Sequence, residues 1–126
     1  MIARRIVSQV KIGARSLSTI PVNKIASVLK LNVVDEPTAL KFDAHVSKIA
    51  GMMKAHPGYL RANRYVCKSE WAYELSFIFN DIDSFKAWKE CALRDDVHST
   101  YLDALEDIGI KEENVYGGAR VYDEIN

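Results

Sequence analysis

From Val28 to Val34 the order VLKLNVV alternates, setting Leu29, Leu31 and Val33 on one side and Lys30, Asn32 and Val34 on the other. That period of two predicts a half-buried strand. Asp35-Glu36-Pro37-Thr38 follows with turn and helix-start chemistry. The helix it opens carries Val46, Ile49 and Met53 at three- and four-residue spacing, and His56-Pro57-Gly58 ends it. Tyr59 to Lys68 predicts a second strand with mixed faces. Trp71 to Asn80 has the strongest strand pattern in the chain: Trp71, Tyr73, Leu75, Phe77 and Phe79 face one way, and Ala72, Glu74, Ser76 and Asn80 the other. The short polar turn between these two strands predicts an antiparallel hairpin.

Asn80-Asp81-Ile82-Asp83 is N-cap chemistry for a short helix holding Phe85 and Trp88. A further helical segment, Asp95 to Ile108, sets Val97, Tyr101, Leu105 and Ile108 on one stripe and closes at Gly109. Val115 to Tyr122 predicts the last strand, with Gly117-Gly118 marking a bulge or a close backbone approach. The order β-α-β-β-α(α)-β is the split βαβ arrangement of an α+β, ferredoxin-like fold, a four-stranded antiparallel sheet with helices over one face. The other face carries Glu74 and Ser76 beside Ile78, a mixture suited to a wet barrel interior or a dimer seam. A homodimer, or docking into a larger assembly, is therefore expected.

A length of 126 residues allows one domain. Seventeen basic and seventeen acidic side chains cancel, so no overall field recruits nucleic acid. No apolar run is long enough to predict a transmembrane segment. Cys67 and Cys91 form no CxxC pair and are expected as buried thiols in a reducing compartment. The distribution of charge changes this picture. Arg4, Arg5, Lys11 and Arg15 fall in the first 17 residues, and the first acidic residue is Asp35. Arg4, Lys11 and Arg15 cluster on a helical wheel opposite Ile2, Ile6, Val10 and Leu17. An acid-free, amphipathic start with arginine and serine reads as a mitochondrial transit peptide over residues 1–17, with a mitochondrial, matrix-side location. Residues 18–27 are then an N-terminal extension and 28–123 the folded domain. Removing four of the seventeen basic residues leaves 13 against 17 acidic ones, a net charge of −4.

Pro57-Gly58-Tyr59 before an aromatic hairpin, the run Asn80-Asp81-Ile82-Asp83-Ser84-Phe85-Lys86-Ala87-Trp88 and a downstream histidine together resemble the antibiotic-biosynthesis-monooxygenase (ABM) domain. The resemblance covers residues 28–123 and implies a dimeric α+β barrel of ferredoxin-like protomers. Related domains include cofactor-free quinol or polyketide monooxygenases, haem-degrading monooxygenases and members without demonstrated chemistry. The haem-degrading branch has an Asn on the first strand, a Trp on the second helix and an iron-ligating His ten residues later. Asn32, Trp88 and His98 stand in those places. The resemblance implies His98 as haem ligand, Trp88 as the ring that distorts the porphyrin and Asn32 as the group that orients bound oxygen.

On the wheel His98 falls in the apolar arc of Val97, Tyr101, Leu105 and Ile108, so it is expected to face inward, as a ligand or as a core histidine bonded to a backbone carbonyl. Trp88 is equally a core filler, and Asn32 equally a cross-sheet hydrogen bonder. His45 and His56 lie near the helix stripe without a metal-ligand spacing. Met52-Met53 reads as core. Arg61, Arg64 and Lys68 either neutralise haem propionates or protect a solvated strand edge. No GxGxxG, P-loop or GxSxG is present. Two functions follow as expectations. One is monooxygenase-like activity on a small molecule, most concretely haem degradation, with a cavity lined by Asn32, Trp88 and His98. The other is a non-catalytic accessory subunit of a respiratory complex, ATP synthase or ribosome, with Tyr73 and Phe77 filling that volume.

Overall fold

The computed structural model describes residues 19–125. The expected transit peptide, 1–17, lies outside the described residues. The elements run β1 (Lys24–Asn32), α1 (Glu36–Met53), β2 (Tyr59–Cys67), β3 (Ala72–Phe79), α2 (Ile82–Glu90), α3 (Ala92–Ile108) and β4 (Tyr116–Tyr122), with a 3-10 turn at Glu112–Asn114 before β4. The sheet order is β2-β3-β1-β4 and every pair is antiparallel. The ferredoxin-like α+β fold expected from the pattern is the one observed.

Local chemistry accounts for the element ends. Asp35 accepts from the Thr38 amide at 2.9 Å and caps α1, with Pro37 in the first turn where its missing N–H costs nothing. Asp81 does the same for α2, taking the Ser84 amide at 2.7 Å. Gly109 ends α3 in the left-handed region at φ 73°. Gly58, at φ 90°, turns α1 into β2 so closely against α2 that any Cβ would collide with Ser84.

The apolar face of β3 lies under the helices. Tyr73, Leu75, Phe77 and Phe79 are buried there with Ile25, Leu31 and Val33, against Phe42, Val46, Ile49 and Met53 of α1 and Trp88, Val97 and Leu105 of α2 and α3. Full burial of a side chain such as Phe79 stabilises by about 1.5–3 kcal/mol.

Several expectations change. β1 starts at Lys24, so residues 24–27, assigned to an extension, are sheet: Ile25 and Ala26 are buried and pair with both β3 and β4. Ile25, Ala26 and Val28 are buried on both faces of this end of β1, so no polar-apolar alternation marks it. Trp71 is not in β3 but in the turn before it, at φ 57°, half-buried against the core. Gly117-Gly118 makes no bulge, since β1 and β4 stay in register. The glycine serves close approach, a Cβ at Gly118 meeting the Tyr116 hydroxyl at 2.6 Å. The irregularity is instead between Tyr59 and Arg61. Cys67 is exposed, at the end of an edge strand, while Cys91 is half-buried between α2 and α3.

Candidate functional site

Between the sheet and the α2–α3 pair lies a cleft of about 160 Å³. Leu29 of β1 and Leu75, Phe77 and Phe79 of β3 form its floor, because odd-numbered positions on both strands point toward the helices. Phe42, Ile49 and Met53 of α1 close one side, and Trp88 and Val97 the other. Its polar residues are Ser27, Arg94, His98 and Tyr101. Arg94, His98 and Tyr101 recur at i, i+4 and i+7, which sets them in a row along α3.

The structure brings Trp88 and His98 to this cleft. Trp88 is buried, edge-on to His56 at 5.4 Å and tilted against Phe79 at 6.1 Å. His56 is itself buried and shares a hydrogen bond of 2.9 Å with the Ser84 carbonyl, tying the end of α1 to α2 and steadying Trp88. His98 does not face fully inward. It stands at the mouth, half-exposed, 5.9 Å from the Tyr101 ring, with Nε2 3.9 Å from Glu112. Val97, Ala104 and Leu105 take the buried stripe of α3, and His98 lies at its margin.

Asn32 is elsewhere. It pairs with Ala72 on the sheet face turned away from the helices. Both ends of its amide are engaged: Nδ2 donates to the Glu70 carbonyl at 2.9 Å and Oδ1 accepts from the Val34 amide at 2.8 Å. The volume expected for Asn32, Trp88 and His98 together is thus divided by the sheet, and Phe77 lines the part that remains open.

Three polar groups of cleft-lining residues make no hydrogen bond among the described residues: the Trp88 indole N–H, the Tyr101 hydroxyl and the Ser27 hydroxyl. Trp88 is buried, where a polar group is ordinarily satisfied, whereas Ser27 and Tyr101 are half-buried and within reach of water. Burial, and then the nearby Glu112 carboxylate, push the Tyr101 phenol up to about 12, which keeps its proton in place. Pattern reasoning passed over Ser27, Arg94 and the hydroxyl of Tyr101. The i, i+4, i+7 spacing on α3 was the available signal.

As formed, the cleft is smaller than haem. A cavity of about 150 Å³ accepts a benzene, so the cleft as formed is sized for one ring and not for a porphyrin. The cations considered for propionates are committed elsewhere: Arg61 to Glu124 at 3.2 Å, Arg64 to Asp43 at 3.4 Å and Lys68 to Glu36 at 3.1 Å. His45 is bonded to Asp107 at 2.9 Å, between α1 and α3. Among the described residues no cluster of three or more His, Cys, Asp or Glu side chains could hold a metal ion, and no helix is long and apolar enough to cross a membrane.

A four-stranded antiparallel sheet in the order β2-β3-β1-β4, covered on one face by α1, α2 and α3 above a small cleft, is the ferredoxin-like fold of ABM-domain structures. Among solved structures, a putative antibiotic biosynthesis monooxygenase from Nitrosomonas europaea matches with a TM-score of 0.60 and 14% identity, over 82% of this chain and 94% of that one. The N63A mutant of SnoaB, a cofactor-independent oxygenase from Streptomyces nogalater, matches with a TM-score of 0.57 and 13% identity, over 82% and 96%. A dimeric ferredoxin-like protein of unknown function from Jannaschia sp. CCS1 matches with a TM-score of 0.54 and 8% identity, over 77% and 97%. No family model and no curated protein sequence matches the chain.

Proposed function

We propose that the chain performs monooxygenase-like chemistry on a small ring substrate in the helix–sheet cleft, without a bound cofactor. The observation that carries this is a ring-sized apolar cleft with an imidazole at its mouth and unpartnered donors on its wall. The likeness of the fold to a cofactor-independent oxygenase supports it. Such chemistry needs a substrate that reduces dioxygen itself. An electron-rich phenol does so after losing a proton, and His98 is placed to take that proton. Trp88 and Phe77 hold the ring and exclude water. Hydroquinone and dioxygen, one molecule of each, would give one hydroxybenzoquinone and one water. A ring carbon exchanges its hydrogen for a hydroxyl, the two original hydroxyls become carbonyls, and the second oxygen atom leaves as water. All four electrons come from the substrate, so no external reductant is consumed.

The test is oxygen uptake by the full chain with hydroquinone, with the product formed under oxygen-18 gas and weighed by mass spectrometry. One labelled oxygen per product is expected, and His98→Ala is expected to lower the rate about a hundredfold or more. Uptake no faster than autoxidation would remove this function.

The opposite sheet face favours a second role, association. Ala26, Val28 and Ile78 form a small buried cluster there beneath Tyr122. Around it, Tyr65 and Tyr116 are exposed. The surrounding charges are largely neutralised within the chain: Lys30 pairs with Glu74 at 3.8 Å and Arg61 with Glu124. A second copy can approach such a face without stranding its charges, and the dimeric Jannaschia relative supports that reading. The accessory-subunit reading draws on this same face.

A further inference from the structure

The chemistry of the cleft wall narrows the ligand beyond a small ring. Resting on the oxygenase reading of the same cleft, we infer that the substrate is a one-ring aromatic acid, its ring on Trp88 and Phe77 and its carboxylate held by Arg94.

Every strong hydrogen-bonding group available in the cleft is a donor or can act as one. Arg94 is a permanent cation with a planar fork suited to a carboxylate. Its side-chain hydrogen bond is a long one, 3.5 Å to the Lys89 carbonyl, and it has no carboxylate partner among the described residues. That sets it apart from Lys30, Lys41, Arg61, Arg64 and Lys68, each of which is ion-paired. No Asp or Glu lines the cleft itself, and the carboxylate at its mouth, Glu112, stands 3.9 Å from His98 Nε2. The Trp88 indole can only donate, and the Tyr101 hydroxyl keeps its proton to high pH.

Size and shape set the rest. A volume of about 160 Å³ holds one ring. The aromatic floor favours a flat body, and the donors at the α3 margin favour a charged edge that reaches toward solvent. Arg94 and His98, one helical turn apart, divide the work: one fixes the acid, the other meets a ring hydroxyl. A dihydroxybenzoate meets both conditions and remains within the oxygen balance given above, since the carboxylate takes no part in it.

The experiment is a titration of the full chain with benzoate and with its neutral counterpart benzamide, followed by the NMR signal of the Trp88 indole N–H. Benzoate is expected to shift that signal and to bind at least about tenfold more tightly than benzamide. Arg94→Gln is expected to weaken benzoate by about tenfold to a hundredfold, the range for a hydrogen bond to a charged group, while moving benzamide less than about twofold. Arg94 is exposed, so the substitution leaves the core intact. Equal affinities for the two probes, an Arg94→Gln variant that binds benzoate as before, or no binding of either would overturn the inference. Oxygen uptake with 2,5-dihydroxybenzoate separates the two claims. Benzoate selectivity without uptake removes the oxygenase function and keeps the aromatic-acid site. Uptake with hydroquinone but no benzoate selectivity does the reverse.

Discussion

Asn32 shows how one side chain can hold a segment in an unfavourable conformation. Val34 sits at φ 76°, a region that costs an L-residue about 1–2 kcal/mol and is rarer still for a β-branched one. Its amide is held by Asn32 Oδ1, while Asn32 Nδ2 grips the Glu70 carbonyl beside Trp71, itself at φ 57°. One amide therefore bridges two strained backbones. Val34 is 67% exposed, so its side chain contributes little packing. Val34→Gly is expected to raise stability by about 1 kcal/mol in urea unfolding, through relief of that strain. Asn32→Ala is expected to lower it by about 1–2 kcal/mol, two hydrogen bonds being lost. A Val34→Gly variant less stable than the parent would show that the turn is not strained. Loss of oxygen uptake in Asn32→Ala at full folding would return Asn32 to the chemistry. The alternation that placed Asn32 opposite Leu31 was legible in the sequence. Its bond to Glu70 was not, because no local pattern encodes a partner 38 positions away.

Helices α1 and α2 start on capping aspartates, whereas α3 has no side-chain cap. Asp35 and Asp81 have carboxyls held below the usual range by the side-chain and backbone bonds they accept from Thr38 and Ser84. Asp107 is lowered first by its bond to His45, which links α1 to α3. Depressed folded-state values mean that these groups contribute fully above the unfolded value of 3.8 and lose that contribution as pH falls through their folded values. Thermal unfolding should therefore move to lower temperature below about pH 4. Asparagine caps as well as aspartate without titrating, so Asp81→Asn is expected to keep the midpoint at pH 7 and to shallow its decline in acid. An identical acid slope in parent and variant would exclude Asp81 from it. The caps and the helix and strand stripes were legible because their causes are local. The break between α2 and α3 was legible, but its place at Cys91 was not: α3 begins at Ala92, three residues before the expected start at Asp95. The cleft was legible only in part. Trp88 and His98 lie on helices with clear faces, whereas which face of the sheet the helices cover, and so the separation of Asn32 from them, follows from packing between distant elements.

At the scale of the molecule the two faces of the sheet have separate work. The helix face buries the core and leaves the cleft at the α3 margin, and the other carries the tyrosines and internally paired charges. A partner on that second face does not touch the cleft, so association and ligand binding should be separable. Tyr65 and Tyr116 are the exposed anchors, and tyrosines at interface centres commonly cost about 2 kcal/mol or more when removed, roughly thirtyfold in affinity each. Arg120 already donates to the Tyr116 hydroxyl at 2.6 Å and lies over its ring at 5.3 Å, which fixes that side chain for contact before a partner arrives. The unsubstituted chain is expected to sediment as a dimer. The pair Tyr65→Asp and Tyr116→Asp is expected to sediment as a monomer, since two-fold symmetry places each new charge in the interface twice. A monomer in the parent would remove the second-copy reading and leave the face for a different partner. A variant that remains dimeric would place the contact elsewhere on the molecule.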